Sequence, residues 1–173
     1  MNKNNNIPTD VKNSLIKLKN LIKLIENNLY KPKDSILREI AIELDMSIEG
    51  ARKLFSLYYP LDGGLCKYIL ERKRCECVKL VMELDDDKLI NRRIEEISNC
   101  SRAYFDRMLY KDYGVKIKDL KKNKENFKIN FVKEFDVDEL EKSITKIYDY
   151  LYNLEVLGYV DIKRTKVKLK TSK

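Results

Sequence analysis

The stretch IEEISNCSRAYFDRMLYKDYGV, residues 94–115, changes character twice within a few turns of chain. It opens on the end of one helical pattern, passes through the polar run Ser98-Asn99-Cys100-Ser101, and resumes at Arg102–Tyr113 with Phe105, Met108 and Leu109 turned inward at helical spacing. Two short helices joined tightly at an angle make a helix-turn-helix. The first of the pair covers residues 88–97, and Asp85-Asp86-Asp87 precedes it as a loop or helix start, because carboxylates favour a helix N-terminus. The triplet reads as capping and not as a metal site: the alternate ligands, glycine and final Glu of a calcium loop are missing.

Upstream, the same design is written once more in LREIAIELDMSIEGARKLF, residues 37–55. Asp34 or Ser35 is expected to cap a helix whose buried stripe is Ile36, Leu37, Ile40, Ala41 and Leu44. Asp45-Met46 makes a short turn. Ser47 then caps a further helix through its hydroxyl, with Ile48, Ala51, Leu54 and Phe55 on the apolar side and Glu49, Arg52 and Lys53 outside. Ahead of both, Leu15, Leu18, Ile22, Ile25 and Leu29 recur at helical spacing, and this first helix ends near Asn27-Asn28 and Pro32. Between the two units, Pro60-Leu61-Asp62-Gly63-Gly64 breaks the chain and a long helix follows from Leu65 to Glu83, roughly 28 Å at 1.5 Å per residue.

Downstream the period changes. Phe127, Ile129 and Phe131 alternate with Lys128 and Asn130 as a half-buried strand does. Val137, Leu140, Ile144, Ile147, Tyr148, Leu151 and Leu154 return to helical spacing, with Gly158 placed to stop the helix. Tyr159–Ile162 and Val167–Leu169 alternate again, and Lys163, Arg164, Lys166, Lys168, Lys170 and Lys173 give a basic end that suits phosphates or a solvated strand edge. The expected fold is mainly α: two helix-turn-helix units joined by a long helix, plus a small C-terminal α+β extension. Its boundaries are a flexible N-terminus over residues 1–12, a double helix-turn-helix domain over 13–122, and the extension over 123–173 as strand, long helix and basic hairpin.

At 173 residues, 43% hydrophobic and 37% charged, the chain has the composition of a soluble globular protein. No run approaches the roughly 18 apolar residues of a membrane span, and Met1 to Asn6 hold no signal-peptide core, so a cytoplasmic location without a membrane partner is expected. The formal net charge of +8 suits a polyanionic partner, yet it is unevenly spread. Residues 1–33 carry seven basic and two acidic side chains, and residues 34–122 carry 18 and 17, so cations must share one face if the middle reads nucleic acid. Histidine is absent, which removes imidazole-based triads and the common zinc-hydrolase ligand sets. Cys66, Cys75, Cys77 and Cys100 show no C-x-x-C spacing and read as reduced thiols, and the carboxylates at Asp85–Asp87 and Glu95-Glu96 lack any supporting catalytic pattern. No enzyme and no cofactor is expected.

These residues together resemble the DNA-binding domain of AraC/XylS-type transcriptional regulators, over about residues 13–122. LIKLIENNL (21–29) and the 37–55 segment are similar to that family's first helix and first unit, with Ala41 at its small helix-contact position. YILERKRCECVKLV (68–81) is similar to its connecting helix, and residues 94–115 match its second unit at Tyr104, Phe105, Arg107, Gly114 and Val115. Departures are local: Ile94 occupies a usual small-residue position, Ser98 replaces a turn glycine, Asn99 stands where an aromatic is favoured, and Lys73 takes the place of a common arginine.

The resemblance implies a cytoplasmic regulator with double-stranded DNA and RNA polymerase as partners. A recognition helix fits a major groove, and successive major-groove faces recur about every 34 Å, so two such helices on a spacer of similar length reach adjacent grooves. By analogy the base-facing positions are Glu49, Gly50, Arg52 and Lys53 on the first recognition helix, and Ser101, Arg102, Ala103, Asp106 and Arg107 on the second. Arg52, Lys53 or Arg107 would donate to guanine, and Glu49 would accept from cytosine. Ser47, Lys111, Lys116 and Lys118 are the expected phosphate contacts. Glu49 with Lys53, and Arg102 with Asp106, are also i,i+4 pairs able to satisfy each other on the helix surface. Residues 123–173 are read as a dimerisation module for a homodimer or as an effector module. The competing class is a protein–protein interaction or anti-regulator module that keeps the scaffold without reading DNA.

Overall fold

The computed structural model describes residues 7–122 and 134–158. Among them are eight helices and no strand: α1 (Thr9–Asn27), α2 (Lys33–Glu43), α3 (Ile48–Tyr58), α4 (Gly64–Glu83), α5 (Asp87–Ser98), α6 (Arg102–Tyr113), α7 (Ile117–Lys122) and α8 (Val137–Val156). The mainly helical class holds. The expected strand at 127–131 and hairpin beyond 158 lie outside the described residues.

The apolar stripe of α1 buries Leu15, Leu18, Leu21, Ile22 and Ile25, the spacing read in the sequence plus one further leucine. Its start lies earlier than expected. Residues 9–12, assigned to a flexible N-terminus, form its first turn, because Pro8 at the N-cap needs no amide and Ile7 is buried beside it. The start of α2 is likewise corrected. Pro32 is its N-cap and no side chain caps that end, so neither Asp34 nor Ser35 does the task expected of it.

Two separate apolar cores flank the long helix. The first gathers α1, α2 and α3 with Leu65, Tyr68 and Ile69 of α4. The second gathers α5, α6 and α7 with Cys77, Val78 and Val81 of the same helix. At 20 residues α4 is about 30 Å long, and its two ends serve different cores. Its middle turn is polar and nonetheless buried: Glu71, Arg72 and Lys73 are each under 8% exposed. Ile94 is fully buried in the second core.

The described part of 123–173 is not a separate unit. Val137 and Ile144 of α8 are buried in the first core, and α8 packs on α1 with Lys19 Nζ bonding Asp138 at 2.6 Å. Phe135 joins an aromatic cluster, 4.7 Å from Tyr59 and 6.4 Å from Phe55 between ring centroids, while its amide donates to the Tyr68 hydroxyl at 3.0 Å. The apolar side of α8 is therefore spent, in its first half, on the first core of its own chain.

Candidate nucleic-acid interface

The two helix pairs, α2–α3 and α5–α6, repeat one local solution. Asp45 (φ 46°) and Asn99 (φ 56°) are the non-glycine residues with positive φ among those described, and one sits in each connecting turn. Asp and Asn tolerate this left-handed conformation better than other side chains, which allows the chain to reverse within a few residues. Each following helix then begins at a serine. Ser47 Oγ accepts from the Gly50 amide at 2.9 Å, and Ser101 Oγ accepts from the Tyr104 amide at 3.3 Å. Both hydroxyls are thus engaged at the third amide of their helices.

On α3, Glu49, Arg52 and Lys53 are exposed on the side opposite Ala51, Phe55 and Tyr58, which are buried. Glu49 does not pair with Lys53. Its carboxylate lies 3.8 Å from Arg52, whose guanidinium also reaches Cys66 Sγ at 3.6 Å, and Lys53 has no ionic partner among the described residues. Gly50 is half-buried, and a Cβ there would lie 3.1 Å from Ser47 Oγ. The missing side chain leaves room for the serine cap.

The named residues of α6 separate into two groups. Arg102 and Asp106 do not pair. Arg102 donates to Asn91 Oδ1 at 2.6 Å, tying α6 back to α5, and Asp106 Oδ1 accepts from the Ile117 amide at 2.7 Å, capping the start of α7. Both are half-buried and hold the unit together. Ala103 and Arg107 lie on the exposed face, and Arg107 has no ionic partner among the described residues. Beside Arg107 on that face stand Tyr104 and Tyr110, each 55% exposed, which the sequence reading did not place at the site. An exposed aromatic at helical spacing from an arginine was the available signal. Lys116 Nζ sits 5.0 Å from the Tyr110 ring centroid, in cation–π range, and Lys111 and Lys118 are exposed.

Behind these surfaces the middle of α4 carries a bonded seam. Arg72 meets Glu26 of α1 through two parallel hydrogen bonds of 2.9 Å, a fork that fixes direction as well as distance. Burial works against the Arg72 charge, and the Glu26 carboxylate outweighs it and holds its pKa above the ordinary range. Glu71 accepts from Arg74 at 2.6 Å and from the Tyr113 hydroxyl, and Arg74 reaches Asp112 of α6 at 2.9 Å. Burial, followed by the Glu71 carboxylate, pushes the Tyr113 phenol up to about 12. Lys73 is 3% exposed and donates to the Lys31 and Ile97 carbonyls and to Asn99 Oδ1. Burial pulls its pKa down to about 8.

Among the described residues no cluster of three or more potential ligands could hold a metal ion, and no helix is long and apolar enough to cross a membrane. Comparison with family models, with curated proteins and with solved structures finds no significant match to this chain.

Proposed function

We propose that this chain is a sequence-specific DNA-binding transcriptional regulator without catalytic activity. In this reading α2–α3 and α5–α6 are two helix-turn-helix units, α3 and α6 their recognition helices, and α4 the spacer. One observation carries it: the same turn, a left-handed Asp or Asn followed by a serine-capped helix, occurs once before and once after, along the chain, a helix about as long as the spacing of adjacent major grooves. Arg107 is assigned to guanine O6 and N7, Lys53 to a second guanine, and Glu49 to cytosine N4. Lys111, Lys116 and Lys118, with the remaining first-turn amides of α3 and α6, hold phosphates and set register. Tyr104 and Tyr110 add apolar and hydroxyl contacts beside Arg107. A cytoplasmic location and contact with RNA polymerase follow from the same reading.

Selection of bound sites from random DNA, followed by affinity measured across salt, tests it. The expected result is a motif in two half-sites about one helical turn apart, with log K falling against log salt at a slope of about −3 or steeper from three lysine–phosphate contacts. No enriched motif, or affinity indifferent to salt, would overturn the reading. A second reading, an interaction module that does not read DNA, is favoured by the balanced charge of residues 34–122 and the internal commitments of Arg102 and Asp106. It expects partner binding at salt concentrations that abolish DNA retention.

A further inference from the structure

Three residues that depart from the pattern of the resembled family, Ser98 and Asn99 in the turn of the second helix pair and Lys73 in the long helix, meet around that turn. Asn99 turns the chain with φ 56°, its amide nitrogen donates to the Glu96 carbonyl at 3.1 Å, and its oxygen accepts from Lys73 at 2.6 Å. Ser98, its neighbour, donates to the Ile94 carbonyl at 2.6 Å and accepts from the Cys100 amide at 3.3 Å, closing the same turn. Lys73 supplies the third member from α4 and adds the Ile97 carbonyl at 2.7 Å. Its third bond goes elsewhere, to the carbonyl of Lys31 in the loop between α1 and α2. An ammonium has three N–H donors, and here two point to the turn of the second helix pair and one to the start of the first.

We propose that Lys73 is the positioning residue that sets the angle between the two helix pairs, and through it the half-site spacing that the protein accepts. The two apolar cores lie on opposite sides of this point and each docks on α4 by non-directional packing. Hydrogen bonds to a buried charge are directional and short, so they select one relative orientation where packing tolerates several. Arg72–Glu26 and Glu71–Tyr113 each tie one side to α4, whereas Lys73 joins the two sides to each other. The angle is a property of the free chain; its consequence for spacing rests on the DNA-binding reading above.

Residual dipolar couplings on the full chain test the angle without DNA. Amides of residues 15–69 and of residues 77–120 fit one alignment tensor in the wild type. In Lys73→Met, a near-isosteric side chain without donors, each half keeps its own couplings pattern but the two tensors diverge by more than about 10°. One shared tensor with the wild-type orientation in folded Lys73→Met overturns the proposal. If that variant does not fold, Lys73→Gln, one bond shorter and with two N–H donors in place of three, must produce the same divergence; an unchanged tensor there is equally fatal. On DNA, Lys73→Met binds an isolated half-site within twofold of wild type. Its preference for the selected spacing over the same site with two inserted base pairs falls at least fivefold, and a preserved ratio counts against Lys73. Absence of DNA binding by the wild type would overturn the regulator reading and leave the tensor result to decide the angle.

Discussion

Arg107 and Asp106 are neighbours in sequence with opposite fates in the fold, and substitution separates them. Arg107 stands on the exposed face of α6 between two exposed tyrosines. Under the proposed DNA-binding reading, Arg107→Ala is expected to cost about 1–3 kcal/mol on the selected site and relax preference at one base, whereas Lys118→Ala weakens all sequences alike, as quantitative binding to matched and mutated sites will read. Asp106→Ala acts on stability, because its carboxylate caps α7 through the Ile117 amide. A cost of about 0.5–2 kcal/mol in thermal or urea unfolding, with base preference kept, is expected; changed preference at unchanged stability would return Asp106 to the proposed base-reading set. The cysteines divide in the same manner. Cys77 is fully buried and burial pushes its thiol up to about 12, while Cys66, Cys75 and Cys100 are half-buried. Since the thiolate is the reactive form, iodoacetamide on the native protein at neutral pH is expected to spare Cys77 until the chain unfolds, as mass mapping of alkylated peptides will show. Labelling of native Cys77 at the rate of the others would contradict that burial.

At the scale of elements, what was legible in the sequence is what repeats locally. Helical spacing of Leu15, Leu18, Ile22 and Ile25, the inward Phe105 and Leu109, and the Ser47 cap all appear in the structure, because each depends on residues within one or two turns. The α2 start was misplaced for a related reason: Asp34 and Ser35 are good caps, but Pro32 fixes φ and begins the helix before either is reached. The partners of Arg102, Asp106 and Lys73 were not legible, since each lies 11 or more residues away across a turn whose angle no local pattern records. The paired serine caps yield a prediction of their own. Ser47→Ala and Ser101→Ala should each destabilise by about 1 kcal/mol in chemical unfolding, because each leaves a first-turn amide without its acceptor. Ser47→Gly should cost only a few tenths, as glycine exposes the same amide to water. Equal losses for the alanine and glycine variants would mean that the hydroxyl contributes through something other than the cap.

At the scale of the whole molecule, the described residues form two apolar cores threaded on one helix, with a third segment returning to the first core. The expected boundary at residue 123 follows the change of period in the sequence, which marks where a pattern stops but not where the next one docks. Phe135 illustrates the difference: it precedes α8 by two residues, carries no periodic signal, and still enters the aromatic cluster of Phe55, Tyr59 and Tyr68. Removal of everything after Lys122 should therefore injure one half of the protein and spare the other. The first core would lose Val137 and Ile144, worth about 1.5–3 kcal/mol each when fully buried, and Tyr68 would lose the amide that its hydroxyl accepts from. The second core contains no residue beyond Leu120 among those described. Hydrogen exchange on the chain cut after residue 122 should accelerate the amides of α1 to α3 by a factor of ten or more while those of α5 and α6 change little, local opening being governed by the contacts that each unit keeps. Uniform acceleration across both halves would mean that the chain unfolds as one unit, and no acceleration would mean that α8 rests on the surface without supporting it.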